Sequence, residues 1–314
     1  MTYELDLAVR TAVAAGRLIT EYSAEGRALA DYRGGFEPVT VADLASDGLI
    51  RDSLPGRVLS EGDVSPLPGP GGLSDLGDLD DLDGPLWIVD PIGGAADFSR
   101  GHRHVTVSIA YAVDGQVRAG VVHAPFLDET FTAVRGRGAF LNGRPIRAGE
   151  PEGLGRSVVG AVLPSRGPGR EPLGLPPGGP GTEPAGPSGR SGAEPGAGLS
   201  PGASNARPVA DPSPGGSGVE AVVERVRRLL TRCEGVRSSG APSLDVCWTA
   251  CGRLDACTGT LRPWEVAAAG LVATEAGARR GNLAPGPLPP DLDGEGLVVA
   301  APAVYGELMT LLSD

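Results

Sequence analysis

Apolar side chains recur at helical spacing through residues 4–30, at Leu5, Val9, Val13, Ala14, Leu18 and Ile19, and predict an amphipathic first helix. The segment Glu37-Pro38-Val39-Thr40-Val41-Ala42-Asp43 reads as an extended lead into a second helix, from about Leu44 to Leu54. Val58-Leu59-Ser60-Glu61-Gly62-Asp63 reads as a short strand that ends in acids. From Ser65 to Gly84 the chain is rich in Gly, Pro and Asp, and its aspartates (Asp75, Asp78, Asp80, Asp81, Asp83) lack the spacing of a calcium loop, so a solvated acidic loop is expected.

Four bulky residues then stand in a row, Leu86-Trp87-Ile88-Val89, with no polar face between them, which is the pattern of a strand buried on both sides. Asp90-Pro91 is expected to stop it and to leave a carboxylate at its C-terminal edge, where open α/β sheets collect ligands. Gly93-Gly94-Ala95-Ala96 is small enough for a turn whose backbone N–H groups open a helix and receive a phosphate. Val105–Ala112, Gln116–His123 and Glu129–Val134 follow as an antiparallel meander, with turns at Asp114-Gly115 and Pro125–Asp128. A strand is expected at Ser157–Leu163, helices at Val219–Arg232 and Ser243–Gly252, a strand at Leu254–Cys257, a helix after Pro263, and a short closing helix at Met309 and Leu311-Leu312. Pro164–Gly218 collapses to Gly, Pro, Ser, Ala and Glu, cannot bury enough surface to fold, and is read as a disordered insertion. The expected organisation is an N-terminal α+β half at 1–163, the insertion at 164–218 and a C-terminal α/β half at 219–314.

Composition narrows the function. A 314-residue chain with 40% hydrophobic residues is ample for a packed core, and no apolar run approaches a membrane span. The N-terminal segment carries acids rather than a basic and then apolar leader, so a cytoplasmic, non-membrane protein is expected. The net charge of −12 argues against nucleic acid and favours small ligands. All 27 basic residues are arginine, which excludes lysine-based catalysis. Cys247 and Cys251 share a helix face, but no histidine lies nearby to complete a zinc set, so these and Cys233 and Cys257 read as core thiols. His102, His104 and His123 read as polar loop or strand-end residues before they read as ligands.

The stretch Trp87-Ile88-Val89-Asp90-Pro91-Ile92-Gly93-Gly94-Ala95-Ala96-Asp97-Phe98 resembles the signature W-I-(I/V)-D-P-(I/L)-D-G-T-x-N-F of the inositol monophosphatase family of metal-dependent sugar and nucleotide phosphatases. Other pieces resemble that family in the same order: Val39–Asp43, Glu61 with Gly62, Val121–Gly143, Val236–Ala241 and Pro263–Gly277. The resemblance implies a five-layered α/β/α/β/α sandwich of the inositol monophosphatase and fructose-1,6-bisphosphatase type. It also implies Mg²⁺-dependent hydrolysis of a small phosphorylated metabolite, and it is compatible with a homodimer. Carried over residue by residue, Asp43, Glu61 and Asp90 are the catalytic candidates, and Glu61, Asp90, the Ile92 carbonyl and Glu265 the metal candidates. Gly94, Ala95 and Ala96 would receive the phosphate, while Gly240, Ala241 and Arg262 would meet the rest of the substrate. Asp43 has a second reading as a helix cap, and Glu265 as an acid favoured by a helix dipole.

Two functional letters depart from that signature, and a third from the family's second one, which Pro263–Gly277 resembles. Gly93 stands where the signature has its second aspartate, and Ala95 where it has threonine; Glu265 replaces a metal-binding aspartate. One retained Mg²⁺ position and a weakened second are therefore expected, because Mg²⁺ demands near-octahedral oxygen geometry. Asp97 stands where relatives carry Asn, as a compensating acid or as a surface or capping one. No acid lies between Asp255 and Glu265 to accept hydrogen bonds from a cyclitol ring, so myo-inositol 1-phosphate is not the expected preferred substrate. The functions left open are a phosphatase with an altered site, an impaired relative that binds a phosphorylated ligand or partner chain, and a site turned to another reaction on a phosphorylated intermediate.

Overall fold

The computed structural model describes residues 2–26, 30–33, 37–63, 82–163, 216–284 and 286–313. The first helix, α1 (Tyr3–Ala24), is capped by the Thr2 hydroxyl, which accepts from the Leu5 N–H, and it buries Leu5, Ala8, Ala12, Ala15 and Ile19 along one stripe. A short antiparallel pair, β1 (Ala30–Arg33) and β2 (Glu37–Thr40), precedes α2 (Val41–Ser53). That helix starts three residues earlier than the sequence pattern suggests. Thr40, rather than Asp43, is its N-cap, which places Asp43 at the third helical position and the β-branched Val41 at the first.

Seven strands form one sheet in chain order: β3 (Val58–Ser60), β4 (Pro85–Gly93), β5 (Thr106–Val113), β6 (Gln116–Ala124), β7 (Glu129–Val134), β8 (Ala139–Leu141) and β9 (Arg144–Pro145). β3 runs parallel to β4 and the other neighbours are antiparallel. Asp90-Pro91 does not end β4. The strand continues to Gly93, which pairs with Thr106, and the register slips between Asp90 and Gly93. Pro91 has no N–H to give the ladder, and the irregularity removes it from the ladder. A single turn, α3 (Ala95–Phe98), follows.

The second sheet is built from β10 (Val158–Ala161), β11 (Gly235–Arg237), β12 (Ala256–Gly259), β13 (Arg279–Asn282) and β14 (Leu297–Ala300), in the order β11-β10-β12-β14-β13. Its helices are α4 (Gly216–Arg232), α5 (Pro242–Ala250), α6 (Pro263–Glu275) and α7 (Pro302–Ser313). Residues 216–218, expected in the insertion, belong to α4, whereas 164–215 and the acidic residues 64–81 lie outside the described residues. The strand expected at Leu254–Cys257 is shifted to Ala256–Gly259, and the closing helix is longer than Met309–Leu312.

Period-two alternation along the strands sorts the layers. On β4, Trp87 and Val89 pack with Ile109, Val121 and the α1 and α2 side chains Ala12, Ile19 and Ile50. Leu86 and Ile88 face the other way, into a core with Val122, Phe131, the α5 and α6 residues Leu244, Ala268 and Leu271, and the β14 residue Val299. The far face of the second sheet, Val159, Ala161 and Val298, packs on Leu229 of α4 and Val304 and Leu308 of α7. The layers therefore run α1/α2, seven strands, α5/α6, five strands, α4/α7, which is the expected five-layered sandwich. Because α6 is covered by a sheet on each side, it is apolar around its whole circumference from Val266 to Ala273. Gly120 of β6 leaves room for that helix: a Cβ there would stand 2.9 Å from the Ala268 Cα. Among the described residues no helix is long and apolar enough to cross a membrane.

Candidate metal and phosphate site

β4 carries Asp90 to the edge of the irregular stretch, between β3 and β5, where only 2% of the residue is exposed. The Ile92 backbone hydrogen-bonds its carboxylate, while Oδ1 is buried with no hydrogen-bond partner. Burial pushes this carboxyl well above the usual aspartate range, and the negative charges of Glu61, Glu265 and Asp43 push it further the same way. Asp90 is thus the meeting point of acids that the chain delivers from four separate elements. The Ile92 side chain, by contrast, is buried with Ala42 and Phe98 in the core beneath α1 and α2.

Each of the other acids is held by local chemistry. Parallel pairing sets Ser60 opposite Val89, so Glu61 emerges in a 3₁₀ turn beside Asp90. That turn is fixed by Asp63 Oδ2, which accepts from the Ser60 N–H at 2.9 Å, and by Asp47 Oδ1, which accepts from the Ser60 hydroxyl at 2.6 Å. Arg51 then bridges Asp47 and Asp63 at 2.8 and 2.7 Å. Asp43 closes a capping box: its Oδ2 accepts from the Thr40 N–H at 2.7 Å and the Thr40 hydroxyl at 2.5 Å, while its own N–H donates back to Thr40 Oγ1. Glu265 does the same at the start of α6, where Oε2 accepts from the Arg262 N–H at 2.6 Å. Both acids thus stand at the third position of their helices, in capping boxes closed on Thr40 and Arg262, rather than Asp43 being an N-cap itself, and both act on the charge of Asp90. Two buried serines lock the frame: Ser46 of α2 donates to the Pro91 carbonyl at 2.9 Å, and Ser108 of β5 to the Trp264 carbonyl at 3.2 Å.

The donor set consists of oxygens, one of them orphaned in the interior, which suits a hard divalent cation. Among the described residues no three His, Cys, Asp or Glu side chains stand close enough to enclose an ion as they are placed. Asp43 and Glu265 each accept a hydrogen bond at their own helix start, and Asp90 carries the unpartnered buried oxygen.

Beyond β4 the chain turns at Gly94, whose φ of 86° and whose approach to the His104 carbonyl, 2.7 Å from where a Cβ would stand, both require glycine. The same point lies 3.4 Å from the Ala241 Cβ and 3.5 Å from the Gly240 carbonyl, so the turn that opens α3 abuts the loop that opens α5. Asp97 directs its carboxylate onto Gly240, into the space that a side chain at 240 would take. Arg262 lies over the Trp264 ring, 5.9 Å from its centroid, at the start of α6 and on the Glu265 side of the site. His104 is tied to the same loop, 3.3 Å from the Ser239 carbonyl and edge-on to Trp248. His123 is buried against Thr130, with its pKa lowered by burial, and His102 is exposed. All four cysteines are free thiols, and burial raises the pKa of each.

Sequence reasoning passed over several residues. Asp47, Arg51 and Asp63 position Glu61, and the i, i+4 spacing of the first two on a helix was the available signal. Asp245 of α5 is 1% exposed; its Oδ2 accepts from the Ser239 N–H at 3.3 Å and its Oδ1 has no partner. Burial raises its pKa to about 6, against the opposing pull of the Ser239 hydrogen bonds and the charge of His104. A lone acid inside the apolar run Leu244-Asp245-Val246-Cys247 was its signal. Thr106 and Ser243, both wholly buried, meet at 2.9 Å beside Gly93.

Comparison with known proteins bears on the family and the fold. The model of the inositol monophosphatase family matches residues 2–171 and 211–313. Inositol monophosphatase 1 of Solanum lycopersicum is 30% identical over 275 residues, covering 87% of this chain and 82% of the relative. Nus factor SuhB of Escherichia coli K12 is 26% identical over 276 residues, with 87% and 82% covered. Among solved structures, the extragenic suppressor protein suhB of Bartonella henselae superposes with a TM-score of 0.70 at 22% identity, covering 100% of this chain and 99% of that one. The inositol monophosphatase II of Staphylococcus aureus MSSA476 does so with a TM-score of 0.67 at 19% identity, covering 98% and 92%.

Proposed function

The chain belongs to the inositol monophosphatase family, and from that premise we propose that it hydrolyses a small phosphomonoester, a sugar, cyclitol or nucleotide phosphate, with Mg²⁺ held at Asp90 and Glu61. The observation that carries this reading is the buried Asp90 carboxylate, with one oxygen unpartnered and three further acids turned upon it. So much negative charge in a dry site is costly unless a cation answers it. Bound there, Mg²⁺ would neutralise the phosphate and stabilise the leaving oxygen.

The chain's own groups supply the rest. Asp43, braced by both donors of Thr40, is the acid placed to orient the attacking water by accepting its proton in a hydrogen bond. Ala95 offers no hydroxyl to share that task. The N–H groups of Gly94, Ala95 and Ala96, at the start of the single turn of α3, would receive the phosphate oxygens. Gly240 and Ala241 abut that turn and would meet the organic half of the substrate, with Arg262 at the other helix start. No acid stands between Asp255 and Glu265 to grip a ring of hydroxyls, so a cyclitol phosphate is the least favoured of the three classes.

The second reading, a relative that binds a phosphorylated ligand or partner without turnover, draws on the same site. Gly93 and Ala95 withhold two polar side chains at once, and one of the relatives is a Nus factor. Phosphate release from a panel of sugar, cyclitol and nucleotide monophosphates with Mg²⁺ decides between the two. Release that is lost in Asp90→Asn supports hydrolysis. No release from any ester by the unaltered protein, with a panel member raising its Tm, would favour binding alone.

A further inference from the structure

Gly93 sits in the irregular end of β4, opposite Thr106 of β5. A Cβ on it would press on Thr106 Oγ1 well inside contact distance, and would lie 3.0 Å from Asp90 Oδ2 and 3.6 Å from Ser243 Oγ. Thr106 comes from a strand and Ser243 from the first turn of α5, 137 residues later, and neither has any exposed surface. A buried hydroxyl loses its hydration and needs a partner. These two find each other at 2.9 Å and ask nothing of position 93. The space beside Asp90 is therefore filled by a self-satisfied pair of neutral oxygens.

We infer that the Thr106–Ser243 hydroxyl pair takes the place of a side chain at position 93 and thereby limits the Asp90 site to one divalent cation. A second cation sharing Asp90 would need further negative charge beside it. At position 93 there is neither a carboxylate nor room for one, and Glu265 already accepts from the Arg262 N–H. Gly93→Asp alone would drive its side chain into Thr106; removing the Thr106 hydroxyl relieves the contact, and removing the Ser243 hydroxyl with it avoids leaving that group buried without its partner. The inference rests on the hydrolase reading only for the presence of the cation.

The test is titration calorimetry with Mn²⁺, together with thermal unfolding, on the full chain. The unaltered protein should bind one Mn²⁺. Gly93→Ala, which adds volume without charge, should lower Tm by about 5 °C, the usual scale of an overpacked buried site. Adding Thr106→Ala should return most of that loss. Gly93→Asp should bind no more than one Mn²⁺, whereas Gly93→Asp with Thr106→Ala and Ser243→Ala should bind two. Two Mn²⁺ on the unaltered protein would overturn the inference, as would a triple variant that folds and still binds one. So would a Gly93→Ala protein whose Tm is unchanged, or whose loss Thr106→Ala does not repair. If the triple variant does not fold, the Gly93→Ala pair and the stoichiometry of the unaltered protein still decide. One Mn²⁺ with no phosphate released from any ester would fail the hydrolase reading and leave this one standing; no Mn²⁺ at all would overturn both.

Discussion

Asp90 on β4 and Asp245 on α5 are both buried, exposed by 2% and 1%, and each holds its Oδ1 away from any hydrogen-bond donor. Burial raises the pKa of both. Their neighbours differ. Around Asp90 the nearby charges are three more acids, Glu61, Glu265 and Asp43, and every one of them raises its pKa further. Around Asp245 the Ser239 N–H and hydroxyl and the charge of His104 all oppose the shift. A buried acid among donors is part of the structure, completed by the chain itself. A buried acid among acids is costly unless something from outside answers its charge, and the proposed cation site rests on that difference.

The sharpest way to break this comparison is Asp90→Asn. It should weaken Mg²⁺ binding by about 10²-fold or more, because a ligand and not merely its support is removed. In the absence of Mg²⁺ the same variant should unfold at a higher temperature than the unaltered protein at neutral pH, since a carboxylate crowded by like charge is gone. Calorimetry and thermal unfolding with and without Mg²⁺ check both halves; Mg²⁺ affinity unchanged by the substitution would show that Asp90 is a structural acid like Asp245, and a lower Tm in the absence of Mg²⁺ would remove the like-charge crowding from the account.

Asp245→Asn should leave Mg²⁺ affinity unchanged and act on stability alone. The folded pKa of about 6 lies above the ordinary value of 3.8, so the folded chain holds the proton more tightly over that interval. Stability attributable to this group is therefore present below the lower value, falls as pH rises through the interval, and is lost above it. The asparagine variant keeps the acceptor for the Ser239 N–H, so at pH 7 it should be more stable by about 2 kcal/mol. The measurement is denaturant unfolding from pH 4 to 7, where the gap between the two proteins should open with pH; a constant gap would remove the titration from the account.

Two smaller changes probe the frame of the site. Ser46→Ala deletes the buried bond to the Pro91 carbonyl and should cost about 1–2 kcal/mol, with a loss of Mg²⁺ affinity that a purely packing role for Ser46 would not produce. Arg51→Ala cuts the link between Asp47 and Asp63 near the surface, where the arginine side chain is 33% exposed. Its cost should be about 0.5 kcal/mol at low salt and less at high salt.

The run Leu86–Val89 was legible because both of its faces are buried, whereas Glu61, Asp90 and Glu265 were singled out by the family resemblance and not by any local pattern. The start of α2 was misplaced because Pro38 and the branched Val39 and Val41 read as extended, while the Thr40 and Asp43 spacing of a capping box was there to be used. Treating Asp90-Pro91 as a stop failed because an irregular ladder tolerates proline. The hydroxyl pair beside Gly93 was out of reach: only tertiary packing brings Thr106 to Ser243, and neither residue looks unusual in its own segment. The strands Arg279–Asn282 and Leu297–Ala300 were passed over, the first for its polar, arginine-rich sequence, although Leu297-Val298-Val299 is an apolar run of the expected kind.

The helix α6 lies between the two sheets, yet it is made late. When the ribosome has finished β9 at Pro145, every strand of the larger sheet exists, but the face that α6 will cover is still bare. The residues up to Glu275 take on the order of ten seconds more at ordinary elongation speeds. Through that interval Leu86, Ile88, Val122 and Phe131 form a sticky half-core on a nascent chain, which makes this stage the one that needs chaperone cover. A chain ended after Pro145 should accordingly precipitate. Glu265 lies in the first turn of α6, so a chain cannot cover this face without also acquiring that acid.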